Sequence, residues 1–147
     1  GLCNIAQGLE SCLYLGNMDA LRDWGHAKDY VVAMWKMMQK KKPSDYVIAT
    51  GKQYSIKQFL NIVLKELDIK IKWKGEGINQ KAYDKKGRCI ISCNKKYFRP
   101  TEVETLIGDS SKAKKKLGWA PKVSMNEGLD ITIQHWKNKL IDEKSTY

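Results

Sequence analysis

This sequence predicts an α/β fold, because short runs with a β-strand pattern alternate with amphipathic helical patterns, and glycine or proline punctuates the junctions. Two helices mark their own starts. Ser55 stands three residues before Gln58 and Ser124 three before Glu127, each the spacing of a capping box. Size and composition agree: 147 residues with 42% apolar and 29% charged side chains suffice for one domain with a buried core. The same balance excludes a disordered chain, a collagen, a coiled coil and a mucin.

In chain order, Cys12 to Leu15 reads as a short strand, followed by a loop to His26. From His26 to Lys40 the residues Ala27, Tyr30, Val31, Met34, Trp35 and Met38 recur at helical spacing and predict one buried stripe. Asp45 to Thr50 is a β-rich run ending at Gly51. The helix opened by Ser55 places Ile56, Phe59, Leu60, Val63, Leu64 and Leu67 on its apolar face. Ile69 to Trp73 alternates strictly, as a half-buried strand does, and ends in the Gly75-Glu76-Gly77 loop. A polar, Lys-rich excursion is expected over Ile78 to Gly87, including the stretch Lys81 to Lys86, and then a strand over Cys89 to Cys93. Asp109 or Ser110 can cap a short helix that ends near Leu117-Gly118, with Pro121 as its stop. Met125, Leu129, Ile133, Trp136 and Leu140 define one side of the last helix. There is no internal repeat and no low-complexity linker.

The longest uninterrupted apolar stretch, Tyr30 to Trp35, falls far short of the roughly 18 residues of a membrane span. The expectation is a soluble, cytoplasmic protein without membrane contact. No secretory signal is visible, and the absence of an initiator Met suggests a start inside something larger. There are 27 Lys and Arg against 16 Asp and Glu, a formal charge of +11, but the lysines are spread over helix ends and solvated faces. Nucleic-acid binding is not expected, since neither alternating exposed aromatics on strands nor paired Cys and His are present. The four cysteines are expected to be free thiols in a reducing compartment. Cys3 and Cys12 are nine apart. On a strand, Cys89 and Cys93 would be about 13 Å apart at ~3.3 Å per residue, too far for a bond or a shared metal.

No complete active site can be assembled. The one glycine-rich turn, Gly75-Glu76-Gly77, has Gln80 where a dinucleotide fingerprint needs a third glycine. No Tyr is followed four residues later by Lys: Tyr14, Tyr30, Tyr46, Tyr54, Tyr83 and Tyr97 are followed by Met18, Met34, Thr50, Gln58, Gly87 and Thr101. Neither His26 nor His135 has a nucleophile beside it. No catalytic, cofactor-binding or metal-ligating residue is therefore expected.

Anion-binding equipment is present. The loop Leu15-Gly16-Asn17-Met18-Asp19-Ala20-Leu21-Arg22-Asp23-Trp24-Gly25-His26 is dense in Gly, Asn, Asp and Arg. Arg22-Asp23 reads either as a surface ion pair or as a guanidinium fork held for a diphosphate by its neighbouring carboxylate and a packed Trp24. The second island, Tyr97-Phe98-Arg99-Pro100-Thr101-Glu102-Val103-Glu104, reads as a helix entry with a surface charge or as a second arginine clamp stiffened by Pro100. These islands appear in order with Asn4-Ile5-Ala6-Gln7-Gly8, Val47-Ile48-Ala49-Thr50-Gly51, Gly108-Asp109, Lys112-Ala113 and Leu117-Gly118-Trp119. Together they resemble the C-terminal part of the GDP-mannose 4,6-dehydratase family, a branch of the extended short-chain dehydrogenase/reductases. The likeness runs from Asn4 to about Leu129.

The resemblance implies a small mixed sheet with packed helices: a nucleotide-sugar-binding domain plus the last strand of the Rossmann sheet, over Val47 to Thr50. Residues 1–147 would be the C-terminal GDP-sugar-binding part, with the N-terminal dinucleotide-binding part absent. It implies a lyase of GDP-fucose biosynthesis that converts GDP-mannose to GDP-4-keto-6-deoxymannose and water, uses NADP held by the absent part, and is inactive as this chain alone. By position, Arg22 and Arg99 would clamp the diphosphate and nucleoside, and Glu102 would accept the ribose hydroxyls. Tyr14, Leu15 and Asn17 would line the guanine or sugar pocket. The full-length family forms homo-oligomers. The competing reading is a stand-alone GDP-sugar-binding or regulatory module.

Overall fold

The computed structural model describes residues 1–99 and 101–145, with side chains as far as 140. The chain divides into two compact units, one of residues 1–20, 55–104 and 129–147, the other of residues 21–54 and 105–128.

The first unit is built on a four-stranded mixed sheet. After helix α1 (Leu2–Ala6) comes β1 (Leu13–Leu15), one residue shorter than expected. It lies at one edge, parallel to β6 (Cys89–Cys93), with Leu13 opposite Ile91 and Leu15 opposite Cys93. Strands β5 (Lys81–Asp84) and β4 (Ile71–Lys74) continue the sheet antiparallel, giving the order β1-β6-β5-β4. Ile90 and Ile91 are fully buried, as the Ile-rich run predicts. After the short strand β3 (Tyr54–Ser55), helix α3 (Ile56–Glu66) begins at the expected capping box: Ser55 Oγ accepts from the Gln58 N–H and Gln58 Oε1 from the Ser55 N–H. Leu60, Val63 and Leu64 form its buried face. Over its part in this unit, α5 (Met125–Ser145) buries Leu129, Ile133 and Leu140 but leaves Trp136 exposed.

The Lys-rich excursion is not a loop. A 3-10 turn (Gly77–Asn79) leads into β5, whose single fully buried side chain, Ala82, gives too weak an alternation to be read as a strand. Its hairpin turn closes on Asp84, which accepts from the Lys86 and Arg88 N–H groups and forms an ion pair with Arg88 at 2.8 Å.

The second unit contains β2 (Leu21–Arg22) and β7 (Thr105–Leu106), a short parallel pair. Helix α2 (Ala27–Met38) and helix α4 (Ser111–Leu117) pack around Ala33, Ala113, Leu117 and Trp119, with Tyr30, Met37, Tyr46 and Ile48 against that core. Helix α4 ends at Gly118, whose φ of 57° is the left-handed cap that lets the chain turn away before Pro121 is reached. Lys36 Nζ caps the same end, donating to the carbonyls of Leu117 and Gly118. Asp29 is buried and binds the chain beyond it: Oδ2 accepts from the Lys122 and Val123 N–H groups, and its carbonyl accepts from Trp119 Nε1.

One expectation fails in this unit. Of the predicted buried stripe of α2, Tyr30 packs against the core, but the rest faces outward: Val31 is 61% exposed, Met34 and Trp35 56%, and Met38 73%. Tyr30, Ala33 and Met37 form a second stripe with the same period, and the small Ala33 lets α4 and Trp119 approach that side. Periodicity cannot rank two such faces. The β-rich run Asp45 to Thr50 carries no strand pairing among the described residues, and Val47 is exposed.

All four cysteines are free thiols. Burial, and after it the neighbouring Cys89, pushes the Cys12 thiol up to about 11. No helix among the described residues is long and apolar enough to cross a membrane.

Candidate functional site

In the first unit, the C-terminal ends of the parallel strands β1 and β6 release two loops side by side, residues 16–20 and 94–104. Ends of parallel strands are where α/β sheets place ligands, because diverging loops leave a crevice lined by free backbone groups. Five of the six expected site residues, Tyr14, Leu15, Asn17, Arg99 and Glu102, lie on or next to these loops.

Hydrogen bonds fix the roots of both loops. The Leu15 carbonyl accepts from the Asn94 N–H at 2.8 Å, and the Gly16 carbonyl from Cys93 Sγ at 3.2 Å. A Cβ on Gly16 would strike the Tyr97 carbonyl, so only glycine permits this approach. The first loop also caps α3, since the Met18 and Ala20 carbonyls accept from the Lys57 and Ile56 N–H groups. Met18 is 1% exposed and serves as the loop's apolar anchor. Asn17 Oδ1 accepts from the Asp19 N–H at 3.0 Å, an Asx turn that fixes the Asn17 side chain. Tyr14 is exposed, and Leu15 and Asn17 are half-buried.

On the second loop, the Glu102 N–H donates to the Arg99 carbonyl at 3.3 Å, so one tight turn presents a guanidinium and a carboxylate. Arg99 is exposed and Glu102 half-buried; Pro100 between them lies outside the described residues. A cation and an acceptor on one turn can take a phosphate and a hydroxyl of the same ligand.

Arg22 belongs to the second unit. It is half-buried on β2, opposite Leu106, and its Nη1 donates to the Leu21 carbonyl at 2.7 Å. The neighbouring Asp23 has work elsewhere: Oδ1 accepts from the Thr50 N–H at 2.9 Å and from the Thr50 hydroxyl, and Oδ2 from Gly51 and Gly108. Burial alone would raise this carboxyl, but the bonds from Thr50, Gly51 and Gly108 outweigh it and hold Asp23 below its ordinary range. His26 caps α2, Nδ1 accepting from the Lys28 N–H at 3.3 Å. Among the described residues, no group of three or more His, Cys, Asp or Glu could hold a metal ion.

One residue of this region escapes sequence reasoning. Gln80 Nε2 donates to Asp19 Oδ2 at 2.7 Å, a contact between residues sixty-one apart that no local pattern announces.

Solved structures with this arrangement define the class. RMD from Pseudomonas aeruginosa, solved with NADPH, has a TM-score of 0.72 at 16% identity and matches 94% of this chain and 40% of its own. UDP-glucose 4-epimerase from Thermotoga maritima, solved with UDP-glucose, has a TM-score of 0.68 at 25% identity, over 94% of this chain and 38% of that one. The dTDP-glucose 4,6-dehydratase of Bacillus anthracis, solved with NAD, follows at 0.67 and 20%, over 92% and 36%. The fold is therefore that of the extended short-chain dehydrogenase/reductases, in a segment about 40% as long as those enzymes.

Sequence narrows the class. The family model described as GDP-mannose 4,6 dehydratase matches residues 1–132, and the chain belongs to that family. A GDP-mannose 4,6-dehydratase of Vibrio cholerae is 52% identical over 138 residues, covering 86% of this chain and 37% of that protein. That of Dictyostelium discoideum is 50% identical over 127 residues, covering 86% and 36%. The chain thus spans little more than a third of the length of these curated relatives.

Proposed function

We propose that this chain is the GDP-sugar-binding part of a GDP-mannose 4,6-dehydratase, a single functional region over residues 1–147, with the dinucleotide-binding part outside it. The carrying observation is the 52% identity to a protein of that name, over a segment whose two adjoining loops present Arg99, Glu102 and Asn17. The reaction is oxidation of the mannosyl unit at C4, loss of water across C5 and C6, and reduction at C6, giving GDP-4-keto-6-deoxymannose. NADP, held by the part outside this chain, would supply the hydride chemistry when bound.

This chain's own residues bind and orient. Arg22 and Arg99 meet the two to three negative charges of the diphosphate with guanidinium forks. Glu102 accepts the ribose hydroxyls. Tyr14, Leu15 and Asn17 line the pocket for the guanine or the sugar. Four free thiols fit a reducing, cytoplasmic setting, and the full-length protein is a homo-oligomer.

The exposed apolar face of α2 and the unpaired Asp45 to Thr50 run favour this reading over a stand-alone binding module, which would leave both in water. Calorimetric titration with GDP, GDP-mannose, ADP and UDP-glucose tests it. Saturable binding is expected for the guanosine diphosphates alone, with loss in Arg99→Ala. A folded chain that binds ADP equally well, or an Arg99→Ala variant with full affinity, would refute the assignment.

A further inference from the structure

Gln80 is 4% exposed, and its backbone is fixed at both ends: its N–H donates to the Gly77 carbonyl, and its carbonyl accepts from the Cys93 N–H at the end of β6. From that platform Nε2 reaches Asp19 Oδ2 at 2.7 Å. Asp19 in turn donates its N–H to Asn17 Oδ1. A hydrogen-bonded line thus runs from a buried amide in the sheet to Asn17 in the 16–20 loop.

The amide has a second property. Its Oε1 is buried and has no hydrogen-bond partner. A buried acceptor left unpaired costs about 1–3 kcal/mol, whereas leucine would fill a similar volume without that cost. Packing alone does not account for glutamine at this position. Asp19 does, since an exposed carboxylate on a loop needs a fixed donor if the loop is to hold one conformation.

We propose that Gln80 is a positioning residue of the nucleotide site: through Asp19 it holds the 16–20 loop, and with it Asn17, in the conformation that receives a nucleoside diphosphate. This rests on the reading of Asn17 and its neighbours as nucleotide-contacting residues. Gln80 touches no ligand itself and acts through the loop.

The test is GDP titration together with thermal melting for the wild type, Gln80→Leu, Asp19→Ala and the double variant. Gln80→Leu should melt at or above the wild-type temperature, because the unpaired acceptor is gone, while GDP affinity falls about tenfold as the preorganised loop is lost. Asp19→Ala, a change at an exposed position that leaves Gln80 in place, should weaken GDP to a similar extent. The double variant should bind no more weakly than either single one, since both break the same link. A Gln80→Leu chain that melts lower but binds GDP like the wild type makes the residue merely structural and overturns the proposal. So does a double variant whose losses add. A folded wild-type chain that binds no GDP overturns the site reading and the proposal together, whereas wild-type binding with an unaffected Asp19→Ala removes only the positioning role.

Discussion

Asp23 is a position where even a conservative change should be costly. Its carboxylate receives the Thr50 N–H and hydroxyl on Oδ1, and the Gly51 and Gly108 N–H groups on Oδ2, at 2.8 Å and 3.5 Å. Asparagine offers one acceptor oxygen and turns an amino group toward donors on the other side. The less damaging orientation keeps the Thr50 pair and gives up the Gly51 bond and the long Gly108 contact. Bonds to a charged acceptor contribute about 1.5–3 kcal/mol each. One good bond lost, and the Thr50 pair stripped of its charge assistance, should destabilise Asp23→Asn by about 2–3 kcal/mol at pH 7. At about 2–4 °C per kcal/mol for a chain of this size, the midpoint should drop by about 4–12 °C. The sign with pH follows from the depressed carboxyl: its stabilisation is fully present above the unfolded value of about 3.9 and is lost as pH falls through the lower folded value. The gap between wild type and Asp23→Asn should therefore be constant from pH 7 to about 5 and close below about pH 4. Urea melts across pH give the free energies and a thermal melt at pH 7 gives the midpoint, both followed by near-UV circular dichroism. Equal stability at pH 7, or a gap that widens in acid, would refute this account of the 50–51 turn.

Two further outcomes follow from the same reasoning. Asp29→Ala removes the buried carboxylate that accepts from the Lys122 and Val123 N–H groups and should cost about 1.5–3 kcal/mol in a urea melt. Gly16→Ala drives a Cβ into the Tyr97 carbonyl, so the two site loops must part; a stability loss of about 1–3 kcal/mol, together with weaker GDP binding by calorimetry, is expected.

Local signals in the sequence were reliable where one residue type makes one kind of contact. Ser55 and Gln58 form the capping box their spacing announces, and Gly118 ends α4 as a left-handed cap. Strand β6 was legible because all of its inner residues are buried, whereas β5 was not, with Ala82 alone at zero exposure. The candidate site was legible only as two islands. That they adjoin depends on the parallel pairing of β1 with β6 across seventy-eight positions, from Leu13 to Ile91, and no period in the sequence carries that register. Asp23 shows a different limit. Beside Arg22 in the chain it invites an ion-pair reading, yet its oxygens serve Thr50, Gly51 and Gly108, because successive residues of an extended chain point to opposite sides.

Helix α2 carries the last step. Its inner stripe, Tyr30, Ala33 and Met37, is enough to dock it on α4 and Trp119, so Val31, Met34, Trp35 and Met38 contribute nothing to this unit's own core. Four large apolar side chains on one helix, each more than half exposed, oppose solubility without adding stability. The unpaired run from Asp45 to Thr50 belongs to the same unit and presents exposed Val47. A helix that is apolar on two sides and a β-rich run without a ladder are surfaces that a further layer of an α/β sheet would cover. The 16–20 and 94–104 loops make no such demand, the first being tied to α3 and β6 and the second to β1 by hydrogen bonds. The two candidate-site loops of the first unit should therefore keep their geometry whether or not the second unit's apolar surfaces are covered, which is why GDP titration of this chain is a fair test of their proposed role.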